Sequence, residues 1–224
     1  MDDATLTGDP DIPLTLRRNG RARRISLRVS RLDGRVTLTL PSHVPEPEGL
    51  TFAEAKAGWI RQHLAKLAGP VPVGPGTLLP VEGTPRRVTL QNGPVVLGSE
   101  TLVGESPAAL RAYLKALCRD RLAEALDTLS KKLGRTPSGI RLADPRSRWG
   151  SCNITGRLMF SWRLILAPPG VLSYVAAHEA AHLIHMDHSP AFWAQVGDIR
   201  PGYREERDWL RREGMGLHRW IFER

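Results

Sequence analysis

The stretch from His178 to His188, HEAAHLIHMDH, constrains this chain more than any other. His178 and His182 are four residues apart with Glu179 beside the first, the HExxH spacing. On a helix, residues four apart share a face about one turn, ~6 Å, along the axis. Two imidazoles so placed converge on one metal ion, and Glu179 reaches a water there without being a ligand. His188 is the candidate third ligand. On one straight helix it would lie ~15 Å from His178, so the chain must reverse after His182. Asp187 tolerates the left-handed backbone that ends helices, and Ser189-Pro190 reads as the N-cap and first position of a new helix. The pattern is therefore helix, reversal, ligand, helix. Three protein ligands with one open position are the arrangement of a catalytic zinc.

The surroundings agree. Val171 to Ala177 is apolar, which buries the helix that carries the pair, and a buried imidazole pair with a carboxylate is costly unless something satisfies it. His185 lies ~10 Å beyond His178 along a helix and cannot easily share the same ion. Asp187 has turn formation as its simplest role. Phe192 and Trp193 are expected to pack under the site.

The rest of the chain reads as an α+β protein. Residues 1–11 are expected to be disordered, and 12–104 to form a β-rich region with one helix, Phe52 to Leu67. Ile12–Leu16, Ile25–Val29 and Val36–Leu40 alternate apolar and polar residues, with Asp33-Gly34 as a turn, so one sheet face is wet. Arg17, Arg28 and Arg35 fall on the outward side. GPVPVGPG at 69–76 is a break. Residues 105–224 are expected to be the catalytic domain. It opens with a long helix from Ser106-Pro107, whose stripe from Leu110 to Leu133 faces the core and which Gly134 ends. RSRWGSC (146–152) and RLMFSWRLIL (157–166) read as strand, turn and strand before the metal helix. A free strand edge there can take an extended substrate, and Arg148 and Arg163 are candidates to hold a carbonyl or carboxylate.

Composition narrows the setting. The formal net charge of +9 permits nucleic-acid contact. The apolar runs are too short to span a bilayer, and the N-terminus lacks the pattern of a secretory leader. Cys118 and Cys152 are the only cysteines, and no CxxC occurs, so a reducing cytoplasm is the expected location.

The combination of RWGSC, the strand with SWRL, HEAAH and HSPAFW resembles the YgjP-like metal-dependent hydrolases, which are related to the SprT-like and WLM zinc metallopeptidases. RRNGRARRISLRVSRLDGRVTLTLP and WIRQHLAK resemble that family's front half. The resemblance implies a zincin-like (minigluzincin) core behind a β-rich N-terminal region. It also implies one Zn²⁺ per chain on His178, His182 and His188, Glu179 as general base, and a protein or peptide substrate. Ala180 stands where relatives commonly carry Leu, and SWRL replaces NWRL; neither touches a proposed ligand. Two alternatives stay open. A bacterial rRNA-maturation endoribonuclease family is similar in having three histidines at these offsets, but it lacks a glutamate after the first. A structural zinc in a binding module would need a fourth ligand, from Cys152 or His185.

Overall fold

Strict alternation of apolar and polar residues builds the first sheet. In the computed structural model, which describes residues 3–30, 33–65 and 69–222, the chain divides into two units, Met1–Gly69 and Pro70–Arg224. The first unit holds β1 (Asp3–Leu6), β2 (Ile12–Arg18), β3 (Ser26–Val29) and β4 (Val36–Leu40), in the order β1-β2-β4-β3. Pairing of Leu14 with Val36, and of Leu16 and Leu27 with Leu38, puts every large apolar side chain of the three longer-range partners on one face. That face is closed by Val44 from the loop after β4 and by Ala53 and Ile60 from the helices that follow, and burial of each large aliphatic contributes on the order of 1.5–3 kcal/mol. The polar face is left to solvent.

Two expectations change here. Asp3–Leu6 is a strand rather than a disordered lead, because Leu6 pairs with Ile12 and is buried in the same core. The single helix expected over Phe52–Leu67 is two, α1 (Glu46–Ala55) and α2 (Ala57–Ala65). The break is at Lys56, whose backbone turns to ψ 4 while its N–H caps Ala53 and Glu54. The expected end at Leu67 lies outside the described residues.

The second unit begins with β5 (Val71–Pro72) and a sheet of β6 (Leu78–Val81), β7 (Thr84–Leu90), β8 (Val96–Leu97) and β9 (Thr101–Gly104), ordered β6-β7-β9-β8. These strands were expected to belong with the N-terminal region. They belong instead with the second unit, because Leu79, Val81, Val88 and Leu102 share one core with the long helix α3 (Pro107–Leu133). The Ser106 hydroxyl caps α3 by accepting from Ala109 N, Gly134 ends it at φ 63, and Leu110, Leu114, Cys118, Leu122, Leu126 and Leu129 form its buried stripe.

Three further strands, β10 (Gly139–Ala143), β11 (Gly150–Cys152) and β12 (Arg157–Ser161), are ordered β10-β12-β11. The strand expected to run to Leu166 stops at Ser161, and Trp162–Leu166 coils into a fully buried 3-10 turn. A short apolar run that ends at prolines has the same signature in either form. Three helices follow, α4 (Pro169–Ala181), α5 (Pro190–Ile199) and α6 (Tyr203–Glu213), then a 3-10 turn, Gly214–Arg219, and β13 (Trp220–Ile221), parallel to β5.

The start of α4 is pinned from outside. Glu82 and Gly83, the two-residue loop between β6 and β7, both have positive φ, 52 and 76, as a tight primed turn requires. A Cβ on Gly83 would stand 2.9 Å from Pro168 Cα, so only glycine lets this tip approach α4. Glu82 N–H donates to Ile165 O at 2.7 Å, and its carboxylate accepts from Arg121 Nε of α3 at 2.7 Å. Among the described residues, no helix is long and apolar enough to cross a membrane.

Candidate metal centre

The histidines arrive from one helix and the reversal behind it. His178 lies in the last turn of α4, and His182 is its C-cap. The chain then tightens: Leu183 N–H donates to Ala180 O, Ile184 N–H to Ala181 O, and His185 N–H to Ala181 O. Asp187 Oδ1 accepts from Ser189 N–H at 3.1 Å, which gives Asp187 the turn-forming role expected of it. Ser189 Oγ accepts from Phe192 N–H and starts α5. This reversal returns His188 to His178, with their Nε2 atoms 3.2 Å apart. One ligand atom from each of His178, His182 and His188 lies within 4.8 Å of the others, so the group could hold a metal ion.

The chemistry of these donors suits a cation. His182 Nδ1 lies 2.8 Å from His185 O, which fixes its proton there and leaves the Nε2 lone pair free. Burial, with the charge of its histidine neighbours, lowers the His178 pKa to about 3, and burial lowers that of His182. These imidazoles are neutral at ordinary pH, as ligands must be. The facing Nε2 atoms of His178 and His188, 3.2 Å apart, share either a proton or a cation between them. His178 Nδ1 is buried with no hydrogen-bond partner among the described residues. A buried ring nitrogen without a partner marks a site that the protein alone leaves incomplete.

Glu179 is buried, 5% exposed, and no side chain among the described residues hydrogen-bonds to it. Burial pushes its pKa up to about 8, opposed by the positive charge of Arg148. Its place is set by Gly150 of β11: a Cβ there would lie 2.7 Å from Glu179 Cδ and 2.5 Å from Cγ. The glycine of RWGSC is thus a seat for the carboxylate, which the sequence motif held but spacing alone did not reveal.

Aromatic rings wall the histidines. Phe192, fully buried, stacks on His182 at 4.5 Å and meets His178 and His188 edge-on at 5.0 and 4.9 Å. Trp193 lies 5.6 Å from His178 and stacks on Tyr203, and Arg207 covers its ring at 4.3 Å. Tyr174, one turn before His178, presents an edge to it. Neither Tyr174 nor Tyr203 was singled out from sequence as part of a site; Tyr174 lies one helical turn before His178, whereas Tyr203 reaches Trp193 from the next helix, α6. A cleft of about 220 Å³ reaches this region, lined by Arg148, Trp149, Gly150, Tyr174, His178 and Glu179 among others.

Of the two arginines considered for substrate, only Arg148 lines the cleft. Arg163 is consumed elsewhere. Its Nε and Nη2 donate to the two carboxylate oxygens of Asp144 at 2.7 and 3.0 Å, and its Nη1 donates to Leu217 O and Trp220 O. The two residues weighed as a fourth ligand are also placed. His185 gives its carbonyl to His182, and the Cys152 thiol donates to Asn153 O at 3.4 Å; neither joins the histidine group.

No curated protein and no solved structure matches the chain. A family described as YgjP-like, metallopeptidase domain, does match, over residues 23–213. That span runs from just before β3 to the last residue of α6, taking in the HExxH helix, the reversal and the strand that seats Glu179. The chain belongs to the YgjP-like family of metallopeptidase domains, and its histidine group points to a metal-dependent peptidase.

Proposed function

We propose that this protein hydrolyses peptide bonds within a zincin-like core, with one Zn²⁺ on His178, His182 and His188 and Glu179 as general base. The observation that carries the reading is the convergence of three imidazoles beside a buried, unpaired carboxylate. Zinc so held supplies Lewis acidity toward water and a carbonyl oxygen. Glu179 takes one proton from the attacking water as the new C–O bond forms. It then returns that proton to the departing amine nitrogen as the C–N bond breaks. Burial raises the proton affinity of Glu179, which strengthens the ionised carboxylate as a base toward the water. Phe192 and Trp193 keep the imidazoles oriented and exclude water from behind them. β11 stands at the edge of its sheet, so an extended peptide can add to its free side next to Glu179.

The test is metal content and turnover on an unfolded protein, measured together. Wild type should bind one equivalent of zinc, and His188→Ala should bind less. Glu179→Gln should keep the metal and lose about 10²–10⁴-fold in turnover. Undiminished turnover in Glu179→Gln would remove the base role, and full zinc in His188→Ala would remove that ligand. RNA assayed beside the protein substrate separates hydrolysis of peptides from a nuclease reading, against which Glu179 itself counts.

A further inference from the structure

The histidine site accounts for neither the arginines of the first unit nor the sheet face that carries them. Between Arg17 and Arg35 the sequence has eight arginines and one acidic residue, Asp33. Strand register sorts them. The inner face of the sheet is apolar; the outer face presents Asp3 and Thr5 of β1, Thr15 and Arg17 of β2, Thr37 and Thr39 of β4, and Ser26 and Arg28 of β3. Arg17 pairs with Thr39, which pairs with Ser26, and Arg28 pairs with Thr37, which pairs with Thr15. Arg17 and Arg28 therefore rise from the same face, two strands and two residues apart, about 12 Å between backbones. Arg21, Arg23 and Arg24 sit on the exposed loop that leaves β2 at the Arg17 end.

These five arginines are gathered on one sheet face and its adjoining loop, which sets them apart from single exposed arginines such as Arg135 and Arg141. Arg121, Arg163, Arg200 and Arg211 each face a carboxylate, on Glu82, Asp144, Glu206 and Asp208. Among the described residues, the side chains of Arg17, Arg21, Arg23, Arg24 and Arg28 form no ion pair or hydrogen bond, and all five are exposed. Asp3 of β1, opposite Thr15, is the one carboxylate placed on this face by the strand register, so the arginines outnumber it; like charges so gathered repel one another, and an anionic ligand relieves that repulsion. The hydroxyls of Thr15, Thr37, Thr39 and Ser26 between them are short donors suited to phosphate oxygens.

We propose that this sheet face binds the phosphate backbone of nucleic acid and does so without reading sequence. Multiple separated cations fit a repeating anion better than a single carboxylate. The face lacks the long apolar or aromatic side chains that a membrane-docking surface inserts into lipid, and it lacks rings on which bases would stack. Backbone contacts alone position a protein without discriminating bases. The inference concerns the first unit and stands apart from the peptidase reading.

The experiment is fluorescence anisotropy of the full chain with a labelled 20-base-pair duplex DNA of mixed sequence, titrated at several salt concentrations. The comparison sets Arg17→Glu/Arg28→Glu against Arg135→Glu/Arg141→Glu, which makes the same change in net charge on exposed arginines of the second unit. All four positions are solvent-facing, and circular dichroism verifies folding. Wild type should bind with affinity that falls steeply with salt. The Arg17/Arg28 pair should weaken binding at least tenfold at low salt and lower the log–log salt slope by about 2, as loss of two phosphate contacts requires. The Arg135/Arg141 pair should change affinity less than threefold. Equal weakening by both pairs would reduce the effect to diffuse net charge and overturn the proposal. So would absence of duplex binding at low salt, or binding of phosphatidylserine vesicles through Arg17 and Arg28 in place of DNA.

Discussion

Two buried polar clusters lie in the second unit, and they are finished to different degrees. Around Arg163 the guanidinium is fully used: it takes both oxygens of Asp144 and two backbone carbonyls, and it lies over Trp162 at 4.9 Å. His218 completes that cluster 4.0 Å from Asp144 and 5.1 Å from the Trp149 ring. Around His178 partners are missing: Nδ1 is orphaned, Nε2 has only the His188 ring nitrogen, and Glu179 is buried without a hydrogen bond among the described residues. A satisfied network holds a fold together, whereas a convergent, unsatisfied one is complete only with a ligand. The contrast separates an arginine that could have served substrate from the residues that form the candidate site.

The comparison breaks most visibly if Arg163 is removed. Arg163→Met should strip Asp144 of its counter-charge and leave the carbonyls of Leu217 and Trp220 unpaired. Loss of one partner from a buried ion pair costs about 3–5 kcal/mol, and the lower end applies because the Asp144 carboxylate is partly open to solvent. Denaturant unfolding should show this drop, while His178→Phe, measured without metal, should stay within about 1 kcal/mol of wild type. Comparable losses in both variants would erase the distinction.

Acid sharpens the same cluster. Burial first, and then the positive charge of Arg163, lowers the His218 pKa to about 4, despite the nearby Asp144. The unfolded chain takes up a proton near pH 6.5 that the folded chain refuses until about pH 4. Stability from this group is therefore complete above pH 6.5 and is lost as pH falls toward 4, by about 3 kcal/mol in all. His218→Gln should flatten the stability profile between these values. A variant whose pH dependence matches that of wild type would mean that His218 is free to protonate in the fold.

On the unsatisfied side, the sharpest small change is Gly150→Ala. The added methyl must displace the Glu179 carboxylate, since Cγ and Cδ stand 2.5 and 2.7 Å from its position. Turnover should fall by about 10²-fold with zinc content unchanged, the scale expected for a catalytic group moved by about 1 Å. Normal turnover in this variant would show that Glu179 works from somewhere else.

Much of this was legible in the sequence, for reasons that differ by element. The HExxH helix, the turn at Asp187 and the cap at Ser189 are local, so spacing alone placed His178, His182 and His188 together. The stripe and both ends of α3 were local too. What sequence reading misjudged depends on partners distant in the chain. β1 exists because Leu6 finds the core behind β2 and β4. The unit boundary moved to Gly69 because β6, β7 and β9 pack on α3. Gly150 under Glu179, and Arg163 turned to Asp144, are likewise contacts that periodicity carries no record of.

The smallest effects test whether the reversal after His182 matters to the metal or only to the fold. Ser106 and Ser189 cap helices in the same way, accepting from Ala109 N–H at 3.1 Å and Phe192 N–H at 3.4 Å. Replacing either with alanine should cost about 1 kcal/mol of stability, less for the longer Ser189 bond. Their consequences for zinc should diverge. Ser106 begins a helix whose buried stripe touches only the core, so Ser106→Ala should leave metal affinity unchanged. Ser189 follows His188 directly and fixes Phe192, whose ring contacts all three histidines. Loosening that start lets His188, the exposed member of the group, drift from His178. Ser189→Ala should therefore weaken zinc binding by roughly threefold to tenfold, since about 1 kcal/mol corresponds to a factor near five. Equal zinc affinity in the two variants would place the holding of His188 in the Asp187 turn rather than in the helix that follows it.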